Sequence, residues 1–223
     1  MVHWLRFRHE QSVGFGVLKE GRVEVYEGDM FDVATSTGVT LGLEEVEVLM
    51  PCVPGKMLAL WNNFYALAEK LGMDTPPEPL YWVKTEGCYL GHGEKILKPV
   101  SYDGKVVFEG ELGIVIGSMC RGVTEVQAPD HIFGYTCIND VTAVEIVNRD
   151  ETFPQWTRAK SFDTFGVMGP VIATDLDPQG LVVQTFLTKP GTTEVQERQN
   201  YPVSDMVFSP ESIVSKISQD VTL

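Results

Sequence analysis

The chain has 223 residues, enough for one large domain or for a domain with a small appendage. Thirty-one acidic residues against 17 Lys and Arg leave a formal charge of −14. That charge argues against a nucleic-acid partner, which would need a basic face, and offers no polybasic membrane anchor. No apolar run approaches the roughly 18–20 residues of a membrane-spanning helix. Met1–Val17 carries Arg6, Arg8 and Glu10 where a signal peptide would be apolar. Cys52, Cys88, Cys120 and Cys137 form no CxxC pair and read as reduced core thiols of a cytoplasmic protein.

Residues 1–50 read as a small, mostly β segment, with strands over Gly14–Leu18, Arg22–Tyr26 and Val46–Leu49 and a turn at Lys19-Glu20-Gly21. Gly14-Phe15-Gly16 is not a dinucleotide fingerprint, because Lys19 stands at the third glycine position. Past a break at Pro51–Gly55, Lys56–Trp61 is a strand candidate. Asn62–Leu71 is a helix, with Phe64, Leu67, Ala68 and Leu71 at helical spacing and Gly72 as its C-cap. Thr75–Pro79 is a proline-rich loop, Tyr81–Lys84 a strand, and Gly87–Gly93 a glycine-rich, mobile stretch.

Val106–Gly117 has the most informative pattern. As one strand it places Val106, Phe108, Leu112, Ile114 and Ile116 on one face and the neighbouring Glu109 and Glu111 on the other. Such a pair is either the solvent face of an edge strand or is neutralised by a hard divalent cation or a shared proton. A short helix over Val126–Ile132 and strands over Phe133–Ile138, Val167–Ala173 and Leu181–Leu187 follow. Lys189–Asn200 is an exposed hairpin or loop, and Ser209-Pro210-Glu211 starts a last helix. Strands dominate without a βαβα rhythm, which argues against a doubly wound parallel sheet. On these grounds alone, Lys160 reads as an exposed lysine and Asp140 as a turn residue.

The order of signals resembles the fumarylacetoacetate hydrolase family. Tyr81–Lys84 follows a proline-rich loop. Phe108-Glu109-Gly110-Glu111-Leu112 and Ile114–Gly117 come next, then Gly134-Tyr135-Thr136 with Asn139-Asp140, then Gln155–Lys160 and Gly169-Pro170. The resemblance runs from about residue 50 to the end. It implies an α+β, mostly β fold: a mixed β-sheet roll of that family's C-terminal-domain type over 51–223, with 1–50 as the small N-terminal β segment. It also implies a homodimer, and a Mg²⁺ ion (or Mn²⁺ or Ca²⁺) held by Glu109, Glu111 and Asp140. Lys160 falls on the family lysine, beside a small-molecule 2-oxo acid substrate. There it would place a positive charge near the enolate oxygen, or transfer a proton if burial beside the metal lowered its pKa.

Three departures temper this. Aligned on Asn63-Phe64, Leu67 and Lys70 stand where the hydrolases of the family carry a water-activating His and Glu, which leaves Tyr65 as the candidate acid. Ala143-Val144-Glu145 and Val147 replace a substrate-contacting segment, so Arg149 and Arg158 are the available cations for a distal carboxylate. Family chains also run on beyond a segment like Ser218–Leu223, so the expectation is a truncated polypeptide rather than an open sheet edge. The implied reaction is hydrolysis of a C–C bond in an acylpyruvate-type substrate. Decarboxylation or isomerisation of oxaloacetate or ring-cleavage dioates is the alternative, and a non-catalytic metal-binding scaffold the third reading.

Overall fold

The computed structural model describes all 223 residues. The N-terminal segment is a run of antiparallel strands: β1 (Val2–His9), β2 (Ser12–Lys19), β3 (Arg22–Gly28) and β4 (Ala34–Gly42), with β5 (Glu47–Leu49) returning to the free side of β1. The predicted turn is a two-residue hairpin. Glu20 and Gly21 both sit at positive φ (52° and 75°), and Lys19 pairs with Arg22, the backbone that matches strand twist in tight hairpins. Alternation along β1 buries Leu5 and Phe7, which pack with Val23 of β3.

Next come β6 (Met57–Trp61), α1 (Tyr65–Leu71), β7 (Leu80–Lys84), β8 (Tyr89–Leu90), β9 (Val106–Val107), β10 (Gly110–Ile116), β11 (Ile132–Asp140) and β12 (Thr142–Ala143). The short helices α2 (Val144–Val147) and α3 (Trp156–Lys160) lead to β13 (Gly166–Met168), β14 (Ile172–Thr174), the hairpin β15 (Val182–Thr188) and β16 (Val195–Pro202), and α4 (Pro210–Asp220). The main sheet runs β4-β3-β2-β1-β14-β11-β13-β8, with β10 also on β11. All its pairs are antiparallel except β13 with β8, so the sheet is mixed and the chain is α+β, mostly β. Residues 1–50 join this same sheet through Val2–Trp4 against Ile172–Thr174.

Several boundaries differ from the sequence expectation, for local reasons. Val106–Gly117 is two strands. β9 pairs with β12, β10 pairs with β11, and the chain changes partner across Phe108-Glu109. Val167–Ala173 is likewise broken at Gly169-Pro170, because proline has no N–H for a ladder. The first helix begins only at Tyr65, since Asn62 is left-handed (φ 57°) and Phe64 is extended. It ends at the expected Gly72, left-handed at φ 63°. Gly87–Gly93 contributes a 3₁₀ turn at Glu86–Cys88 and then β8, which adds to the main sheet. Asp140 ends β11 rather than making a turn. Cys52, Cys88 and Cys120 are buried thiols, whereas Cys137 is exposed. Ser209 caps α4, its hydroxyl accepting from Ser212 N at 3.2 Å. No helix is long and apolar enough to cross a membrane.

Candidate active site

A cavity of about 520 Å³ lies among β6, β10, β11 and α4, and Glu109, Glu111, Asp140, Lys84 and Lys160 all line it. Five charged groups from four places in the chain therefore meet in one space. β10 and the two residues before it bring the glutamates, the end of β11 brings Asp140, the end of β7 brings Lys84, and the last turn of α3 brings Lys160. The two halves of the split strand are pinned at this point, where Asp140 N donates to Glu109 O at 2.8 Å.

Asp140 is the hub. Its Oδ1 accepts from Lys84 Nζ at 2.5 Å and its Oδ2 from Lys160 Nζ at 2.7 Å. Lys160 also donates to Glu109 Oε2, which in addition accepts from Thr142 Oγ1 at 3.2 Å. Lys84 is among the largest fully buried side chains in the protein. It donates as well to the carbonyls of Lys160 and Phe165. Burial alone would depress the Lys160 ammonium, but Asp140 and Glu109 beside it outweigh that and hold it above the ordinary lysine value. Lys160 Nζ also lies 5.2 Å from the centroid of the Trp82 ring, which stacks on Trp156 at 5.0 Å.

Glu111 is in none of these ion pairs. Burial, then the charges of Glu109 and Asp140, push its carboxyl from 4.5 up to about 7, against the pull of Tyr201 and Lys160. Three carboxylates face two ammonium groups, so one negative charge has no partner. An all-oxygen donor set with an uncompensated charge fits a hard divalent cation. No three of these carboxylates converge closely enough to hold an ion as the side chains stand, with the Lys160 ammonium between Glu109 and Asp140. Two buried polar atoms on lining residues, Asn62 Oδ1 and Trp82 Nε1, have no protein partner, and a ligand or water would satisfy them.

The structure brings Glu109, Glu111, Asp140 and Lys160 together, and leaves Tyr65 out. Tyr65 is 53% exposed and does not line the cavity, whereas its neighbour Phe64 does. Leu67 lines the cavity, while Lys70 does not. Arg149 and Arg158 are exposed and away from the cavity, with Arg158 bonded to Gln155. Sequence reasoning gave no role to Lys84, although a signal was present: it lies two residues from Trp82 on a strand whose Val83 faces out, so a lysine shares the buried face. Gln199 sits in a stretch that reads only as an exposed hairpin or loop, Tyr201 lies just past its end, and nothing in the sequence marks either.

With this geometry in view, the comparisons are specific. Residues 56–223 match the family described as fumarylacetoacetate (FAA) hydrolase, C-terminal, and residues 2–51 match an Rv2993c-like N-terminal family. The chain belongs to the fumarylacetoacetate hydrolase family. An uncharacterized protein of Archaeoglobus fulgidus is 39% identical over 95% of this chain and 79% of its own length. The oxaloacetate tautomerase YisK of Bacillus subtilis is 31% identical over 81% of this chain and 60% of its own. The crystal structure of 2-hydroxyhepta-2,4-diene-1,7-dioate isomerase from Mycobacterium marinum superposes with a TM-score of 0.85 at 31% identity, covering 100% of this chain and 83% of that one.

Proposed function

We propose that this family member is a divalent-metal-dependent enzyme that interconverts keto and enol forms of 2-oxo acids and dioates, a tautomerase or isomerase rather than a hydrolase of C–C bonds. The observation that carries this reading is the apolar Leu67 in the cavity wall at the place of the hydrolases' histidine, together with a lining that contains none of His3, His9, His92 or His131. Hydrolysis needs a base to activate water. Enolisation needs charge at one oxygen and a proton relay. The activities named for the Bacillus subtilis and Mycobacterium marinum relatives are of this second kind.

Glu109, Glu111 and Asp140 would hold the ion, Mg²⁺ or Mn²⁺ (or Ca²⁺), which when bound supplies positive charge to the 2-oxo carboxylate. Lys160, which donates to Asp140 and Glu109, presents its Nζ on the cavity wall, where negative charge on the 2-oxo oxygen would be stabilised. Lys84 fixes Asp140 and the carbonyl of Lys160, and so sets where that ammonium stands. The apolar walls of β6 and α4 exclude water from the uncharged part of the substrate.

The test is to supply Mg²⁺ or Mn²⁺ with freshly dissolved oxaloacetate or a 2-hydroxydienedioate, follow the enol absorbance, and identify products by NMR. Accelerated enol–keto exchange or a shifted double bond, with no fragments and no carbon dioxide, is the expected result. Two fragments with water added would restore the hydrolase reading, and no turnover with metal bound would leave a scaffold. Glu109→Ala is expected to abolish the Mg²⁺-induced rise in melting temperature; a surviving shift would remove Glu109 from the ligand set.

A further inference from the structure

We propose that Tyr201 is a positioning residue for Glu111, and that with Gln199 it makes the β15–β16 hairpin a clamp on the Glu109-Gly110-Glu111 segment. The inference rests on the metal reading above. β15 and β16 pair only with each other. The hairpin nevertheless grips one residue of the main sheet, through the peptides on both sides of it. Gln199 Oε1 accepts from Gly110 N at 2.7 Å, Gln199 Nε2 donates to Gly110 O at 3.4 Å, and the Tyr201 hydroxyl donates to Gly110 O at 2.7 Å. Thr185 Oγ1 on the opposite strand donates to Gln199 Oε1 at 2.9 Å and fixes the amide's orientation. Gln199 and Tyr201 are two apart on one strand, so they reach Gly110 from the same face.

Gly110 is the residue between the two glutamates. Its missing side chain is what lets the hairpin approach, since a Cβ there would overlap Thr185 Oγ1. The Tyr201 hydroxyl also stands 3.2 Å from Glu111 Oε2. One hydroxyl proton serves two acceptors, the Gly110 carbonyl and the Glu111 carboxylate, so the peptide and the carboxylate are oriented through the same atom. The Tyr201 ring meets the Phe64 ring edge to face at 4.6 Å, which joins the hairpin to the Asn62–Phe64 part of the cavity wall. A hairpin that looks like surface decoration is thereby the outer support of one carboxylate. Groups that hydrogen-bond a ligating carboxylate set its orientation, and their loss costs metal affinity.

The experiment is calorimetric Mn²⁺ titration of the full chain, with the metal-free melting temperature measured alongside. Tyr201→Phe keeps the ring on Phe64 and removes only the hydroxyl. It is expected to weaken Mn²⁺ binding about tenfold with the metal-free melting temperature unchanged. Gln199→Met, the second variant should Tyr201→Phe fail to fold, is expected to weaken binding about threefold. Phe186→Ser alters an exposed side chain of the same hairpin away from Gly110, and is expected to leave Mn²⁺ affinity unchanged. Wild-type binding that both Tyr201→Phe and Gln199→Met leave within twofold overturns this inference alone. Wild-type protein that binds no Mn²⁺ overturns the metal reading and this inference with it.

Discussion

The core beneath the N-terminal strands and the charged wall of the cavity are both buried, and they are held by opposite means. Under β1, Leu5, Phe7 and Val23 pack against apolar neighbours such as Leu18, Leu41 and Val48, and each contributes in proportion to the surface it removes from water. At the cavity, Lys84, Lys160 and Asp140 are as deeply buried, yet each is tolerated only because the others are there. An apolar core weakens by degrees. A buried charge network fails by whole charges, because removing one member leaves another unpaired in a poor solvent for ions.

Lys84→Met is the strongest test of that contrast. Its volume is nearly kept, but Asp140 Oδ1 and the carbonyls of Lys160 and Phe165 lose their donor. The expected loss is about 4 kcal/mol of unfolding free energy, read by urea denaturation, together with loss of turnover. Leu5→Ala is expected to cost about 3 kcal/mol through its cavity alone and to leave Mn²⁺ affinity unchanged. If both variants lost stability while keeping metal affinity, the charged wall would be ordinary core and the contrast would fail.

Glu111 gives the contrast a pH axis. Its carboxyl lies at about 7 in the folded chain against an ordinary 4.5. The folded state therefore holds the proton that the unfolded state has already released, and stability falls as pH rises from about 4.5 through about 7. The loss is on the order of 2–3 kcal/mol across that window, with the melting temperature of the metal-free protein as readout. Glu111→Gln is expected to flatten the fall, and so is saturating Mg²⁺, which supplies the missing positive charge. A melting curve that rose with pH over the same window would contradict this account of Glu111.

How much of this was legible in the sequence follows the same divide. The β2–β3 turn, the strands at β6 and β7, the Gly72 cap and the Ser209 cap could be read because each rests on local chemistry: a left-handed glycine, an alternating face, a hydroxyl before a helix. β1 and β4 were not among the expected strands: β4 has almost no apolar face to mark it, whereas β1 carries an alternation, Leu5 and Phe7 between Arg6 and Arg8, that could have been read. The carboxylate cluster was legible only through the family resemblance, because Glu109, Asp140 and Lys160 are brought together by pairings of β9 with β12 and β11 with β13 that no local pattern encodes. Lys84 entered that resemblance only as the end of Tyr81–Lys84, with no role, and Tyr201 lay beyond it. One is a lysine in phase with a buried tryptophan, and the other a tyrosine on a hairpin whose alternate face is solvent. Both matter through partners more than 50 residues away, Asp140 for Lys84 and Glu111 for Tyr201.

The smallest expected effect is at Tyr65, and its smallness is the point. As a replacement for the absent histidine, Tyr65 would have to face the cavity. The chain enters α1 with Phe64 still extended (φ −131°, ψ 131°), and it is the Phe64 ring that turns inward against Tyr201, leaving Tyr65 on the outer side of the first turn. An exposed hydroxyl with no protein partner contributes little to either state. Tyr65→Phe is therefore expected to change unfolding free energy by no more than about 0.5 kcal/mol and to leave turnover within about twofold, which is under about 0.5 kcal/mol of barrier. Phe64→Ala, one residue earlier, is expected to loosen the hairpin's hold on the cavity wall and lower turnover. A drop of more than about tenfold in Tyr65→Phe, some 1.4 kcal/mol at the transition state, would mean that α1 turns when substrate binds and that the proton relay runs through that hydroxyl after all.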